Sequence, residues 1–295
     1  VSANREDAIV ARLRAALRRA PAVAGIGDDC AAVEAPRGKL LLLKTDCVVE
    51  RRHFRASDSP TAVGWKAVCR AVSDIAACGG EPQHALVTCV LRDKQTGRWL
   101  DGLYCGIEKA GREFGFHVVG GELARTDGPA VINVAMTGTV ARREFVGRGG
   151  GRIGDLFYVT GTLGGSLRSG WHLRFCPRLR EARWLAKNIR PTAMMDLSDG
   201  LAADLPRLAA ESGTGFVIDA ESVPRRRGVT LRAALSDGED FELLFAVPKA
   251  KAARLEREWK RKFPALRLTR IGHLAKRGMA QGLGAARGYD HFARP

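Results

Sequence analysis

Apolar side chains return with helical spacing over 61–78, at Val63, Ala67, Val68, Ala71, Val72 and Ile75, and Gly79-Gly80 with Pro82 supplies the stop. The same period over 5–19 puts Ile9, Val10, Leu13 and Leu17 on one side of a helix and arginines on the other. Further helices are predicted over 102–114, 180–188 and 252–263. Alternation over 131–140, with Ile132, Val134, Met136 and Val140 facing one way, predicts a strand. Shorter apolar runs predict strands at 40–43, 87–91, 118–119, 156–160, 194–196 and 241–247, the third of these breaking at Gly120-Gly121. Ser198 and Asp199 open another helix, in which Pro206 is tolerated only within about the first turn.

The glycine- and arginine-rich segment 147–154 reads as an interdomain linker, so domains are expected over 1–147 and 148–295. A chain of 295 residues with 45% hydrophobic content is long enough for two cores. No apolar run reaches the roughly 18–20 residues that cross a bilayer. The opening residues Val1 to Asp7 lack the apolar stretch of a signal peptide. The expectation is a soluble, cytoplasmic protein whose native start, with no Met at position 1, lies further upstream. Seven cysteines without a Cys-x-x-Cys pair argue against a disulfide framework and a structural zinc site. The net charge of +16 is spread over several segments, each read either as a solvated face or as an attraction for anionic substrates. With 6% aromatic residues and no basic cluster, nucleic-acid binding is not expected.

Chemistry enters with acidic residues set beside glycines or hydroxyls at separated points: Gly27-Asp28-Asp29, Thr45-Asp46, Ser73-Asp74, Gly120-Gly121-Glu122, Asp196-Leu197-Ser198-Asp199-Gly200 and Gly238-Glu239-Asp240. Hard cations such as Mg²⁺ take oxygen ligands and bridge carboxylates to substrate phosphates, so this pattern points to phosphate chemistry. Gly149-Gly150-Gly151-Arg152-Ile153-Gly154 matches G-x-G-x-x-G but precedes a strand, where a dinucleotide fingerprint follows one. The chain has no G-x-x-x-x-G-K-[ST] and no protein-kinase His-Arg-Asp or Asp-Phe-Gly element.

Taken in order, several segments resemble the thiamine-monophosphate kinase family of the aminoimidazole-ribonucleotide synthetase superfamily. They are Gly25-Ile26-Gly27-Asp28-Asp29-Cys30-Ala31, Thr45-Asp46 followed by His53-Phe54, and Ala71-Val72-Ser73-Asp74-Ile75-Ala76-Ala77. Gly154-Asp155 with Gly161-Thr162, Asp196-Leu197-Ser198-Asp199-Gly200-Leu201, the run from Ala234 to Leu243, and Gly288-Tyr289-Asp290-His291-Phe292 continue the match over nearly the whole chain. The resemblance implies a two-domain α/β (α+β) fold of the aminoimidazole-ribonucleotide synthetase type. The N-terminal domains of a homodimer would pair into a shared β-barrel, bind ATP and hold metal, and the C-terminal domain would complete the substrate site. The implied reaction is direct in-line phosphoryl transfer from ATP, as co-substrate, to thiamine monophosphate, assisted by several Mg²⁺ ions and without an assigned general base. A membrane partner is not implied.

Carried over residue by residue, the resemblance makes Asp29, Thr45, Asp46, Asp74, Glu122, Asp196 and Asp199 metal ligands, directly or through water. Gly121, Glu122, Arg148 and Ser198 would meet ATP, and His53, Glu239 and Tyr289 the thiamine phosphate, with Tyr289 stacked on the thiamine ring and Glu239 opposing its charge. Asp28 stays a turn or supporting residue. Simpler roles compete: Asp74 paired with Arg70 one turn earlier, Ser198 or Asp199 as a helix cap, and His53 and Tyr289 as packing residues.

The chain departs from the family pattern at Glu122-Leu123, where Asp-Thr is usual. It departs again at Lys44, whose ammonium either replaces a cation or points away, and at Arg51-Arg52 and Arg70, where small or amide residues are expected. These departures leave open a related enzyme with another substrate, or a weakened nucleotide-binding paralogue.

Overall fold

The computed structural model describes residues 5–18 and 21–292, so the expected helix end at Arg19 and the opening Val1-Ser2-Ala3-Asn4 lie outside the described residues. The first half runs α1 (Arg5–Ala16), β1 (Ala31–Ala35), β2 (Lys39–Val49), α2 (Pro60–Ala77), β3 (Glu81–Leu91), α3 (Arg98–Phe114), β4 (His117–Arg125) and β5 (Val131–Ala141). Its strands form a sheet in the order β1-β2-β5-β3-β4, antiparallel except for the β3–β4 pair, which α3 connects as a crossover. Leu40, Leu42, Val87, Cys89, Ile132, Val134 and Met136 are buried with Val68, Val72 and Ile75 of α2. On the opposite face Leu43 and Leu86 are exposed, as are Val119 and Leu123 on the edge strand β4.

The second half runs β6 (Leu156–Thr160), α4 (Ser166–Ser169), α5 (Leu179–Trp184), β7 (Ala193–Asp196), α6 (Leu201–Glu211), β8 (Gly215–Ile218), α7 (Leu231–Ser236), β9 (Leu243–Val247), α8 (Ala252–Lys262), β10 (Leu268–Ala275) and β11 (Ala280–Gln281). Its sheet is ordered β11-β8-β10-β6-β9-β7. The architecture is therefore mixed α/β with two sheets. Between them lies α2, which packs on β2, β5 and α3 of its own half and on α5 and β7 of the other. Two glycines let α2 and α3 approach backbone to backbone. A Cβ at Gly106 would lie 1.9 Å from the Thr61 carbonyl oxygen, and one at Gly64 2.0 Å from that of Leu103.

Several expectations need correction. The strand expected to break at Gly120-Gly121 continues to Arg125, because backbone pairing with β3 needs no side chain at those positions. Pro206 sits in the second turn of α6, beyond the first turn that was expected to confine it. The helix expected over 180–188 ends in a π-helical segment, Leu185–Ile189. The strand expected from 241 begins at Leu243, since Glu239 and Phe241 take left-handed backbone angles (φ +63° and +52°). The segment 147–154 lies along the second half, with the Gly147 carbonyl accepting from Met194 N.

Candidate active site

A cleft of about 2550 Å³ opens between the halves, walled by β2, α2, the 147–154 segment, the start of α6 and the C-terminal residues. Pairing with β1 ends at Leu43, and the next residues of β2, Lys44 to Cys47, line the cleft. Alternation turns Lys44 and Asp46 toward α2, in register with buried Met136 and Val134, and Thr45 the other way. Helical spacing stacks Lys66, Arg70 and Asp74 at i, i+4 and i+8 on one stripe of α2. Asp196 closes β7, and Asp29 lies in the turn before β1.

These elements bring Asp29, Asp74 and Asp196 together: one carboxylate oxygen of each lies within 4.8 Å of the others, and all three residues are buried. Asp29 Oδ1 accepts from Arg148 Nη2 at 2.6 Å and Nε at 3.2 Å, while Asp29 Oδ2 is buried with no hydrogen-bond partner. Asp74 Oδ1 faces Lys44 Nζ at 2.9 Å. Asp196 Oδ2 accepts from Ser73 Oγ at 2.5 Å. Burial pushes Asp196 up to about 7, with repulsion from Asp29 next in weight. Burial also holds Asp74 well above the usual carboxylate range, against the pull of Lys44. Removing several carboxylates from water side by side is costly unless a cation joins them. Three buried carboxylates, one of them with an orphaned Oδ2, fit a hard divalent cation.

The remaining candidates divide. Asp46 Oδ1 is gripped by Arg70 (Nη2 and Nε, each 3.1 Å), which keeps its carboxyl low against the opposing effect of burial. The alternative pairing of Asp74 with Arg70 is not what forms: Arg70 takes Asp46 and Glu239, and Asp74 takes Lys44. Thr45 Oγ1 donates to Asn133 Oδ1 at 3.1 Å on the other side of β2. Ser198 and Asp199 do not cap α6. Gly200 occupies the cap position, and buried Asp204 accepts from the backbone N–H of both Ser198 and Asp199 at 3.0 Å. The Asp199 carboxylate is engaged by Arg207 at 2.5 Å and stands outside the acidic trio. Gly121 and Glu122 lie on the exposed edge strand β4 and do not line the cleft, and Glu122 Oε1 accepts from Leu123 N.

His53 lines the cleft, and its Nδ1 accepts from Val49 N at 3.0 Å, placing the ring proton on Nε2. Burial, then the charges of Arg70 and Lys66, lower its pKa to about 3, so the ring is neutral. Its neighbour at 5.5 Å is His291, which meets the Tyr289 ring edge-on at 4.8 Å. Tyr289 is 41% exposed, and its backbone N–H is anchored to the Asp199 carbonyl. Glu239 Oε1 accepts from Lys66 Nζ at 2.6 Å and from Arg70 Nη1 at 3.3 Å.

Lys66 was not singled out in the sequence, yet it is fully buried and also touches the His53 carbonyl (2.6 Å) and His172 Nδ1 (3.0 Å). Its spacing from Arg70 and Asp74 was the available signal.

The AIR synthase related protein N-terminal domain matches residues 27–140, and the AIR synthase related protein C-terminal domain matches residues 152–281. The thiamine-monophosphate kinase of Rhodopirellula baltica is 35% identical over 292 residues, covering 92% of this chain and 90% of that protein. The chain belongs to the thiamine-monophosphate kinase family of AIR synthase related proteins. The Aquifex aeolicus thiamine-monophosphate kinase is likewise 35% identical, over 84% of this chain and 86% of its own length. Among solved structures, "AaThiL complexed with AMPPCP and TMP" superposes with a TM-score of 0.84 at 32% identity, covering 97% of each chain. The Escherichia coli hydrogenase maturation protein HypE, at 21% identity and a TM-score of 0.70, shares the fold.

Proposed function

We propose that the protein transfers the γ-phosphate of ATP to thiamine monophosphate, giving ADP and thiamine diphosphate. The observation that carries this reading is the full-length likeness to a relative held with AMPPCP and TMP, in a chain whose own acidic corners converge on one cleft. The attacking phosphate oxygen is already anionic, so the protein has little base chemistry to do; it must align two polyanions and offset their repulsion.

Asp29, Asp74 and Asp196 would hold Mg²⁺, with Thr45 as a further oxygen donor at the rim, and Asp46 and Asp199 joining only where Arg70 and Arg207 turn from them to the phosphates. Mg²⁺ bound there would supply positive charge to the transferring phosphoryl group. Arg148 and the backbone at Ser198 face ATP in this reading. Neutral His53, the Lys66-clamped Glu239 and Tyr289 form the thiamine end.

Gly121 and Glu122 would act from a second copy or across the dimer interface. The exposed Leu43 and Leu86, on the sheet face turned away from α2, mark the surface on which two N-terminal sheets would close into a barrel. The domain boundary falls near residue 148 in this proposal, and the enzyme works in the cytoplasm, where ATP is available.

Incubation of purified protein with ATP, Mg²⁺ and thiamine monophosphate should yield thiamine diphosphate by mass. Absence of that product while AMPPCP binds overturns the reading and favours a nucleotide-binding protein without turnover, the alternative that Lys44 on Asp74 and Arg70 on Asp46 support.

A further inference from the structure

The acidic trio is met by two cations of its own chain. Arg148 holds Asp29 Oδ1, and Lys44 Nζ lies 2.9 Å from Asp74 Oδ1. Lys44 arrives there because β2 alternates it to the α2 side, beyond the point where β1 stops covering the strand. A lysine ammonium is a compact point charge with three donors, and it repels any second cation brought to the same oxygen. Asp46, two residues along, is closed in the same manner by Arg70. Asp29 Oδ2 is buried and without a donor, in a residue whose carboxylate belongs to the trio.

We propose that the Lys44 ammonium is a built-in counter-ion that occupies Asp74 Oδ1 in place of a second divalent cation, so that Asp74 shares a single ion with Asp29 and Asp196 and this chain binds one divalent ion fewer than its acidic residues would otherwise hold. The proposal rests on the kinase reading only for its nucleotide. It predicts that neutralising Lys44 opens a metal site.

The test counts Mn²⁺ bound per chain, by the electron paramagnetic resonance signal of free Mn²⁺, in the presence of saturating AMPPCP. Lys44→Met and Lys44→Gln should each bind one more Mn²⁺ than the wild type, whereas Lys44→Arg, which keeps the charge, should keep the wild-type number. If the neutral variants melt early in metal-free buffer, recovery of the wild-type melting temperature on adding Mn²⁺ gives the same answer, because the cation then replaces the ammonium. Equal Mn²⁺ counts and affinities in wild type and both neutral variants would overturn the proposal, as would a loss of folding that Mn²⁺ does not repair. Turnover of thiamine monophosphate by the wild-type preparation separates the two readings. A silent wild type defeats the kinase assignment whatever the count, and unchanged counts beside an active wild type defeat only the role of Lys44.

Discussion

Ser73 Oγ lies 2.5 Å from Asp196 Oδ2, tying α2 of the first half to the last residue of β7 in the second. A hydrogen bond to a charged, buried group contributes about 1.5–3 kcal/mol. Ser73→Ala should lower stability toward urea by that amount and also slow turnover, since Asp196 loses the contact that orients it. A variant with an unchanged urea midpoint would show that the bond does not join the halves in solution.

Asp74→Asn should leave the circular dichroism spectrum intact and reduce thiamine diphosphate formation by roughly 100-fold or more, the scale for losing one group that manages transition-state charge. Near-normal turnover would remove Asp74 from the metal site.

Burial, against the pull of Glu239, lowers the Lys66 pKa from 10.5 to about 8. Between those values the unfolded chain carries more protons than the folded one, so the Lys66 contribution makes stability rise as pH increases through this window. Below about 8 lysine is charged in both states and its contribution is flat and least favourable. Denaturation of wild type and Lys66→Met at matched pH values should show a shallower rise for the variant between about 8 and 10.5; identical slopes would contradict a lysine held in this environment.

The exposed apolar face of the first sheet makes oligomeric state the fourth test. Leu86→Glu places a charge beside exposed Leu43 on the face of the first sheet turned away from α2, and should convert a dimer to a monomer in light scattering at micromolar concentration. A dimer that survives both this change and Leu43→Glu would have to use another surface.

Long periodic elements were legible in the sequence because one face of each is buried against a continuous core. The helix expected over 61–78 is α2, and the strand expected over 131–140 is β5. The short strands β6, β7 and β9 were legible as apolar runs, but β1, β8 and β10 were not: β8 has four residues, β1 is largely alanine, and β10 interrupts its apolar positions with Thr269, Arg270 and His273. At the site, Asp29, Asp46 and Asp74 stood out because each follows an Asp, Thr or Ser, and Asp196 because it opens the run Asp-Leu-Ser-Asp-Gly. Lys66 was not legible, since a charged residue within an amphipathic period normally faces water. The His53 carbonyl and the approach of Glu239 and His172 from the second half account for its burial. That Asp74 is matched by Lys44 and not Arg70 depended on which side of β2 faces α2, which is a matter of strand pairing.

The glycine contact between α2 and α3 sets the height of everything α2 carries. Lys66, Arg70, Ser73 and Asp74 ride on one rigid rod whose seat is fixed where Gly64 and Gly106 expose bare backbone. One methyl group added at Gly106, a position with no chemistry of its own, would lift that rod and detune the ammonium, guanidinium, hydroxyl and carboxylate together.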